Sequence, residues 1–190
     1  MNRLFHRLLE LALPASASAI SQRGLCVALA RFVAELPALG NVLYVPMCPN
    51  GMAAPTLPRG LLVEAMQLAP LLQTRRLVAA SAIIVEGPRE WIDCVDREGR
   101  TCARLHLLPD TDYLAWDRLL ACGKPMVATP ARWLRPPRPA SARVLRFQWR
   151  RLAGLGVLGA DMADGISPLS RQLAGQIARA EAVPLQLAGD

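Results

Sequence analysis

Between Trp91 and His106 the chain alternates bulky apolar with charged positions, Trp91, Ile92, Cys94 and Val95 standing among Asp93 and Asp96. Asp96-Arg97-Glu98-Gly99 then supplies a turn, with glycine where positive φ is easiest, and Cys102-Ala103-Arg104-Leu105-His106-Leu107 resumes an extended run. The pattern predicts two antiparallel strands. Pro109 stops the second one, and Asp110 or Thr111 is the expected N-cap of a helix that carries Tyr113, Leu114, Trp116, Leu119 and Leu120 on a largely shared face. That face predicts a helix packed on the hairpin.

Upstream, Leu4, Phe5, Leu8, Leu9 and Leu11 predict an amphipathic first helix, and residues 16–21 a small-residue linker. Leu25, Val27, Leu29, Phe32, Val33 and Leu36 suggest a second helix ending near Pro37. Residues 41–47 (NVLYVPM) are apolar and β-prone, and the proline and glycine density of the following CPNGMAAPTLPRG marks a loop. Residues 60–73 read as a helix interrupted or ended by Pro70. Residues 77–85 (LVAASAIIV) read as a buried strand, with a helix as the alternative their alanines allow. Gly87-Pro88 is the expected separator before the hairpin. Downstream, repeated prolines make residues 123–140 irregular, residues 142–155 fit either a strand or a basic helix, and Ser167-Pro168 opens a final helix. Residues 1–130 are therefore expected to form the core, and residues 131–190 a basic, proline-rich segment and C-terminal helix packed on the same domain.

Composition narrows the class. A chain of 190 residues with 53% apolar content can bury a core without disulfide or metal staples. The net charge of +7 is carried by arginine, Lys124 being the only lysine, and it is unevenly spread. No acid occurs between Asp117 and Asp161, a stretch that contains Arg143, Arg146 and Arg150, which points to an anionic partner. Cys26, Cys48, Cys94, Cys102 and Cys122 show no CxxC or paired Cys/His spacing, so reduced thiols and a cytoplasmic location are expected rather than a zinc site or a secreted disulfide framework. No uncharged apolar run reaches the roughly 18 to 20 residues that span a bilayer, so no membrane insertion is expected. Glu10 interrupts the one leader-like stretch, which favours the amphipathic helix there.

Two segments resemble the cytosolic haem-trafficking proteins of the HemS, ChuX and HutX type, also called the hemin-degrading factor family. Residues 35–47 (ELPALGNVLYVPM) are similar to that family's helix end, Leu-Gly turn and first sheet strand. Residues 95–120 (VDREGRTCARLHLLPDTDYLAWDRLL) are similar to its glycine-turn hairpin followed by an aromatic-bearing helix. The resemblance implies an α+β fold, a large curved antiparallel sheet with helices packed at its ends, in a single-repeat member that pairs as a homodimer. It implies haem as cofactor or cargo. The family's histidine ligand after the first strands has no counterpart in CPNGMAAPTLPRG.

Other ligands are therefore needed. His106 offers an imidazole to haem iron, and Arg104, two places away on the same face of its strand, offers a guanidinium to a propionate. Cys48-Pro49 is a dipeptide of regulatory haem sites, with the thioethers of Met47 and Met52 beside it. Arg143, Arg146 and Arg150, interleaved with Phe147 and Trp149, form the candidate surface for an anionic partner. No nucleic-acid motif accompanies them, so nucleic acid is the less favoured occupant. No nucleophile-elbow context or paired carboxylate points to catalysis. The expected function is to bind or pass on haem. The alternative is an interaction protein that kept the fold, lost haem ligation and acts through its arginine-rich segment.

Overall fold

A computed structural model of the protein describes residues 20–48, 57–126 and 138–188. The expected first helix, most of the loop after Cys48, including Met52, and most of the proline-rich stretch after Met126 lie outside those residues. The described chain runs β1 (Ser21–Cys26), α1 (Leu29–Glu35), a 3-10 helix (Leu36–Leu39), β2 (Asn41–Cys48), β3 (Leu61–Val63), a second 3-10 helix (Met66–Gln73), β4 (Arg76–Ile84), β5 (Gly87–Val95) and β6 (Thr101–His106). It continues through α2 (Tyr113–Ala121), β7 (Lys124–Met126), β8 (Arg138–Pro139), β9 (Ala142–Leu152), β10 (Leu155–Met162), α3 (Pro168–Ala180) and β11 (Leu185–Gln186).

One eleven-stranded sheet organises the described residues, in the order β3-β10-β9-β2-β6-β5-β4-β1-β7, with β11 added on β9 and β8 on β2. Every ladder is antiparallel except β3 with β10 and β11 with β9. This is the α+β architecture, dominated by a large antiparallel sheet, that the sequence predicts. The C-terminal strand β9 pairs directly with β2, Leu43 opposite Val144.

Side-chain alternation gives the sheet two covered faces. Val42, Tyr44, Ile92, Leu105, Leu145 and Phe147 share one core with Phe32 and Val33 of α1, the leucines of the second 3-10 helix, and Trp116 and Leu119 of α2. Leu43, Val45, Met47 and Val144 share the other with Ala174, Ile177 and Ala178 of α3. Tyr44 stands edge-on to Phe147, ring centroids 6.0 Å apart, and its hydroxyl donates to the Gln67 carbonyl at 2.6 Å. One tyrosine thereby fixes the second 3-10 helix to the sheet.

Several local expectations change for identifiable reasons. The helix expected from Leu25 onward begins only at Leu29, because the preceding residues pair with β4, Leu25 opposite Leu77, and sheet pairing overrides a short helical face. The helix expected over residues 60–73 is a strand followed by a 3-10 helix, where Pro70 lacks the N–H an α-helix would use. Gly87-Pro88 is not a separator but the start of β5, the turn falling at Val85 and Glu86. Of the expected strand over residues 77–85, residues 77–84 form strand, and residues 142–152 form a long strand, not a basic helix. The N-cap of α2 is Asp112, whose Oδ1 accepts from Ala115 N at 2.8 Å. Asp110 and Thr111 are used elsewhere: Asp110 Oδ2 accepts from Ser167 N at 2.7 Å, and Thr111 Oγ1 donates to the Asn41 carbonyl at 2.6 Å. The final helix starts as expected, Ser167 capping Ser170 N at 3.2 Å with Pro168 in the first turn.

Candidate functional site

The β5–β6 hairpin turns on Asp96, whose carboxylate accepts from the Arg100 backbone N–H and from Arg100 Nε, both at 2.8 Å. Val95 pairs with Thr101, but the register then slips at a bulge, and Cys94 pairs with Ala103. Cys102 and Ala103 consequently both join the core beneath α1 and α2. Arg104 and His106 emerge on the opposite face, beside Val45 and Leu43 of β2 and opposite Asp93 and Trp91 of β5. That face lies under α3.

His106 is only 5% exposed. Its ring centroid is 6.3 Å from that of Trp91, the planes tilted by 39°. Burial first, and then the positive charges of Arg104 and Arg89, push its pKa down to about 3, so the imidazole is neutral throughout the physiological range. Among the described residues neither His106 Nε2 nor Trp91 Nε1 has a hydrogen-bond partner, and both atoms are buried. An orphaned buried polar atom costs about 1–3 kcal/mol.

Arg104 is the hub of the polar layer around them. Its Nε donates to Asp93 Oδ1 at 2.7 Å, another guanidinium nitrogen reaches Glu181, and its charge lies 5.7 Å from the Trp91 ring centroid. Burial works against its charge, yet Asp93 and Glu181 together raise its pKa. Glu181 is the C-cap residue of α3, and one turn earlier Gln176 accepts from Arg89 at 2.8 Å. The C-terminal half of α3 is thus tied to β5 and β6 by polar contacts, whereas its N-terminus is tied to Asp110. Burial of Ile177 adds about 1.5–3 kcal/mol to the docking of that half.

The remaining candidates scatter. Met47 is buried in the core under α3, on the same face as His106 but four residues along β2 from its neighbour Leu43, about 13 Å away at strand rise. Cys48 is the last residue of β2, opposite Arg138. Arg143 lies opposite Tyr44 on the α1 and α2 face, with a buried Nε that has no hydrogen-bond partner among the described residues. Arg146 and Arg150, by the alternation of β9, belong to the other face. Arg146 is exposed, and Arg150 pairs with Glu64 at 3.1 Å. The three arginines therefore do not make one surface. Among the described residues no group of histidine, cysteine or carboxylate side chains could hold a bare metal ion, and no helix is long and apolar enough to cross a membrane. Cys26, Cys94, Cys102 and Cys122 are free thiols, with burial pushing Cys102 up to about 12.

Trp91, Arg89, Gln176 and Glu181 are the site residues that sequence reading passed over. Trp91 stood in view as a strand residue, but only the bulge places it opposite His106. Nothing local could join Glu181 to Arg104 across 77 positions.

A haem fits this site in one respect and not in another. The neutral, unpartnered Nε2 of His106 has the character of an iron ligand. Access is closed, since the imidazole lies beneath α3 and Arg104 is committed to two carboxylates.

Fold and site together define an α+β protein whose sheet carries a neutral histidine between a tryptophan and two arginines, roofed by its last helix. No family model and no curated protein matches the chain. Among solved structures it is similar to the heme degrading enzyme ChuS of Escherichia coli O157:H7, at 16% identity and a TM-score of 0.40, over 60% of this chain and 38% of that one. It is also similar to a structure of ChuS described as an E. coli heme oxygenase, at 16% identity and a TM-score of 0.40, over 58% and 37%. The chain thus spans well under half the length of those proteins.

Proposed function

We propose that the protein binds haem and passes it on, with His106 as the iron ligand. The observation that carries this reading is the buried Nε2 of His106, held neutral and without a partner beside an aromatic ring and two guanidinium groups. The residues that resemble the haem-trafficking family add support, since they form β2 and the β5–β6–α2 unit around this histidine. Arg89 is the guanidinium for a propionate, because it has no ion pair among the described residues, unlike Arg104. Haem would supply the iron and its redox chemistry. The chain would supply the ligand nitrogen, the aromatic wall and the charge that balances the propionates. Cys48 is the second candidate ligand. Cytoplasmic residence and a homodimer belong to the same reading and rest on the sequence resemblance.

Titration of the purified protein with hemin tests it. A saturable Soret shift that is lost in His106→Ala is expected. A shift that survives His106→Ala but is lost in Cys48→Ala moves the ligand to the thiolate. No saturable shift at all overturns the haem reading. The second reading is then an interaction protein, favoured by the exposed guanidinium of Arg146, which has no ion pair among the described residues. It predicts salt-dependent retention of an anionic partner that weakens in Arg146→Glu.

A further inference from the structure

We propose that the C-terminal half of α3, with Glu181, is a displaceable cover over the His106 face, so that its undocking controls when a ligand reaches that face. The inference rests on the haem reading only for the identity of the ligand.

Three observations converge. First, the helix is anchored unequally. Its N-terminus is held by Asp110, which accepts from Ser167 N while its own N–H donates to Ser170 Oγ, and it starts with a capped proline turn. Its C-terminal half is held by Arg104 with Glu181 and Arg89 with Gln176, side-chain contacts that water can replace, while the main-chain tether to the sheet falls beyond the helix, from Pro184 to Gln186 along β9. Second, the contact surface of that half is small-sided: of its buried residues, only Ile177 is large, beside Ala174 and Ala178. Third, with the helix docked, His106 Nε2 and Trp91 Nε1 are buried without partners among the described residues. Undocking would hydrate both atoms, which offsets part of the cost of exposing Ile177 and of giving up the Arg104–Glu181 and Arg89–Gln176 contacts. A closed state that leaves polar atoms unsatisfied and an open state that satisfies them lie close enough in free energy for a ligand to shift their populations.

The hinge is built in. Ala182, just beyond the helix, has φ of 53°, and Val183 N donates back to the Ala178 carbonyl, so the chain reverses there before Leu185 joins β9. Gly175, one residue before Gln176, lies inside the continuous helix and has the weakest helix propensity of its interior residues.

The chain has only His6 and His106, so histidine reactivity reports the cover without any haem. Modification by diethyl pyrocarbonate, followed residue by residue by mass spectrometry, should be slow at His106 in the unmodified chain. It should be about fivefold faster in Glu181→Gln and in Gln176→Ala, if each contact contributes what a partly buried ion pair or hydrogen bond usually does. Because a variant could unfold, hydrogen exchange of the unmutated protein supplies the second measurement. Amides at the C-terminal end of α3 should exchange by local opening, well before those of β6. Wild-type reactivity of His106 in both variants, or exchange of α3 only together with β6, overturns the cover. Faster reactivity without any hemin-dependent Soret shift leaves the cover standing and removes haem as its ligand.

Discussion

Trp91 and His106 face each other across β5 and β6 at 6.3 Å between ring centroids, and each presents a buried nitrogen that no group in the described chain satisfies. A packed protein interior tolerates few such atoms.

Replacing His106 by leucine removes an orphaned polar atom and keeps most of the volume. We expect His106→Leu to be neutral or stabilising by about 1 kcal/mol, whereas His106→Ala, which leaves a cavity, loses about 2 kcal/mol or more. Urea denaturation of the three proteins checks this. A leucine variant about 2 kcal/mol or more less stable than the unmutated protein would mean that the imidazole has a partner.

Stability should depend on pH through the same residue. In the unfolded chain His106 takes up a proton near its ordinary value of 6.5, while the folded site resists protonation down to about 3. Between those values the unfolded state binds the extra proton, so stability rises with pH across this window and is lost as pH falls through it. The slope approaches about 1.4 kcal/mol per pH unit for one group. Comparing the chain with His106→Leu at pH 4, 5 and 7 isolates it, since the shared carboxylates cancel. Equal slopes in both proteins would contradict a buried neutral imidazole.

Arg104 sits between Asp93 and Glu181, and all three side chains are more than three-quarters buried. Arg104→Ala strands two carboxylates, so a loss of about 2–4 kcal/mol is expected, read as a lower midpoint in thermal denaturation. Arg104→Lys should recover only part of it, because an ammonium cannot reproduce the guanidinium fork. Full recovery by lysine would show that charge alone matters there.

Gly156 lies on β10 under the Trp149 ring, where an added Cβ would come within 2.4 Å of Cζ2 and Cη2. Gly156→Ala should therefore displace the indole and destabilise the β9–β10 hairpin by about 1–3 kcal/mol, with a change in tryptophan fluorescence. An unchanged emission spectrum and midpoint would refute the close packing. The neighbouring Gly154, with φ of 81° and open space around it, should lose stability on substitution only through its backbone conformation.

How far the sequence could be read follows from which interactions are local. The hairpin, the helix after it and the capped final helix were legible because turn chemistry, alternation and a Ser-Pro start all act within a few residues. Counting outward from Val95 opposite Thr101 without the bulge would place His106 opposite Glu90 and on the wrong face; one extra residue at Cys102 reverses that. The strand nature of β1 was hidden because it depends on the edge of β4, far away in the chain. His106 and Arg104 could be placed on one face of a strand from spacing alone. Their burial could not, since the helix that covers them is separated from them by more than sixty residues.

Strand β9 completes β2, setting residues 41–44 against residues 143–146. During synthesis the outer edge of β2 must wait for a segment made about a hundred residues later. Until then, its row of amides and carbonyls is open to any passing strand, a hazard of edges that natural sheets otherwise guard. Slow translation, or a chaperone that shields nascent β2, should therefore raise or lower the yield of this protein more than any change in its finished stability.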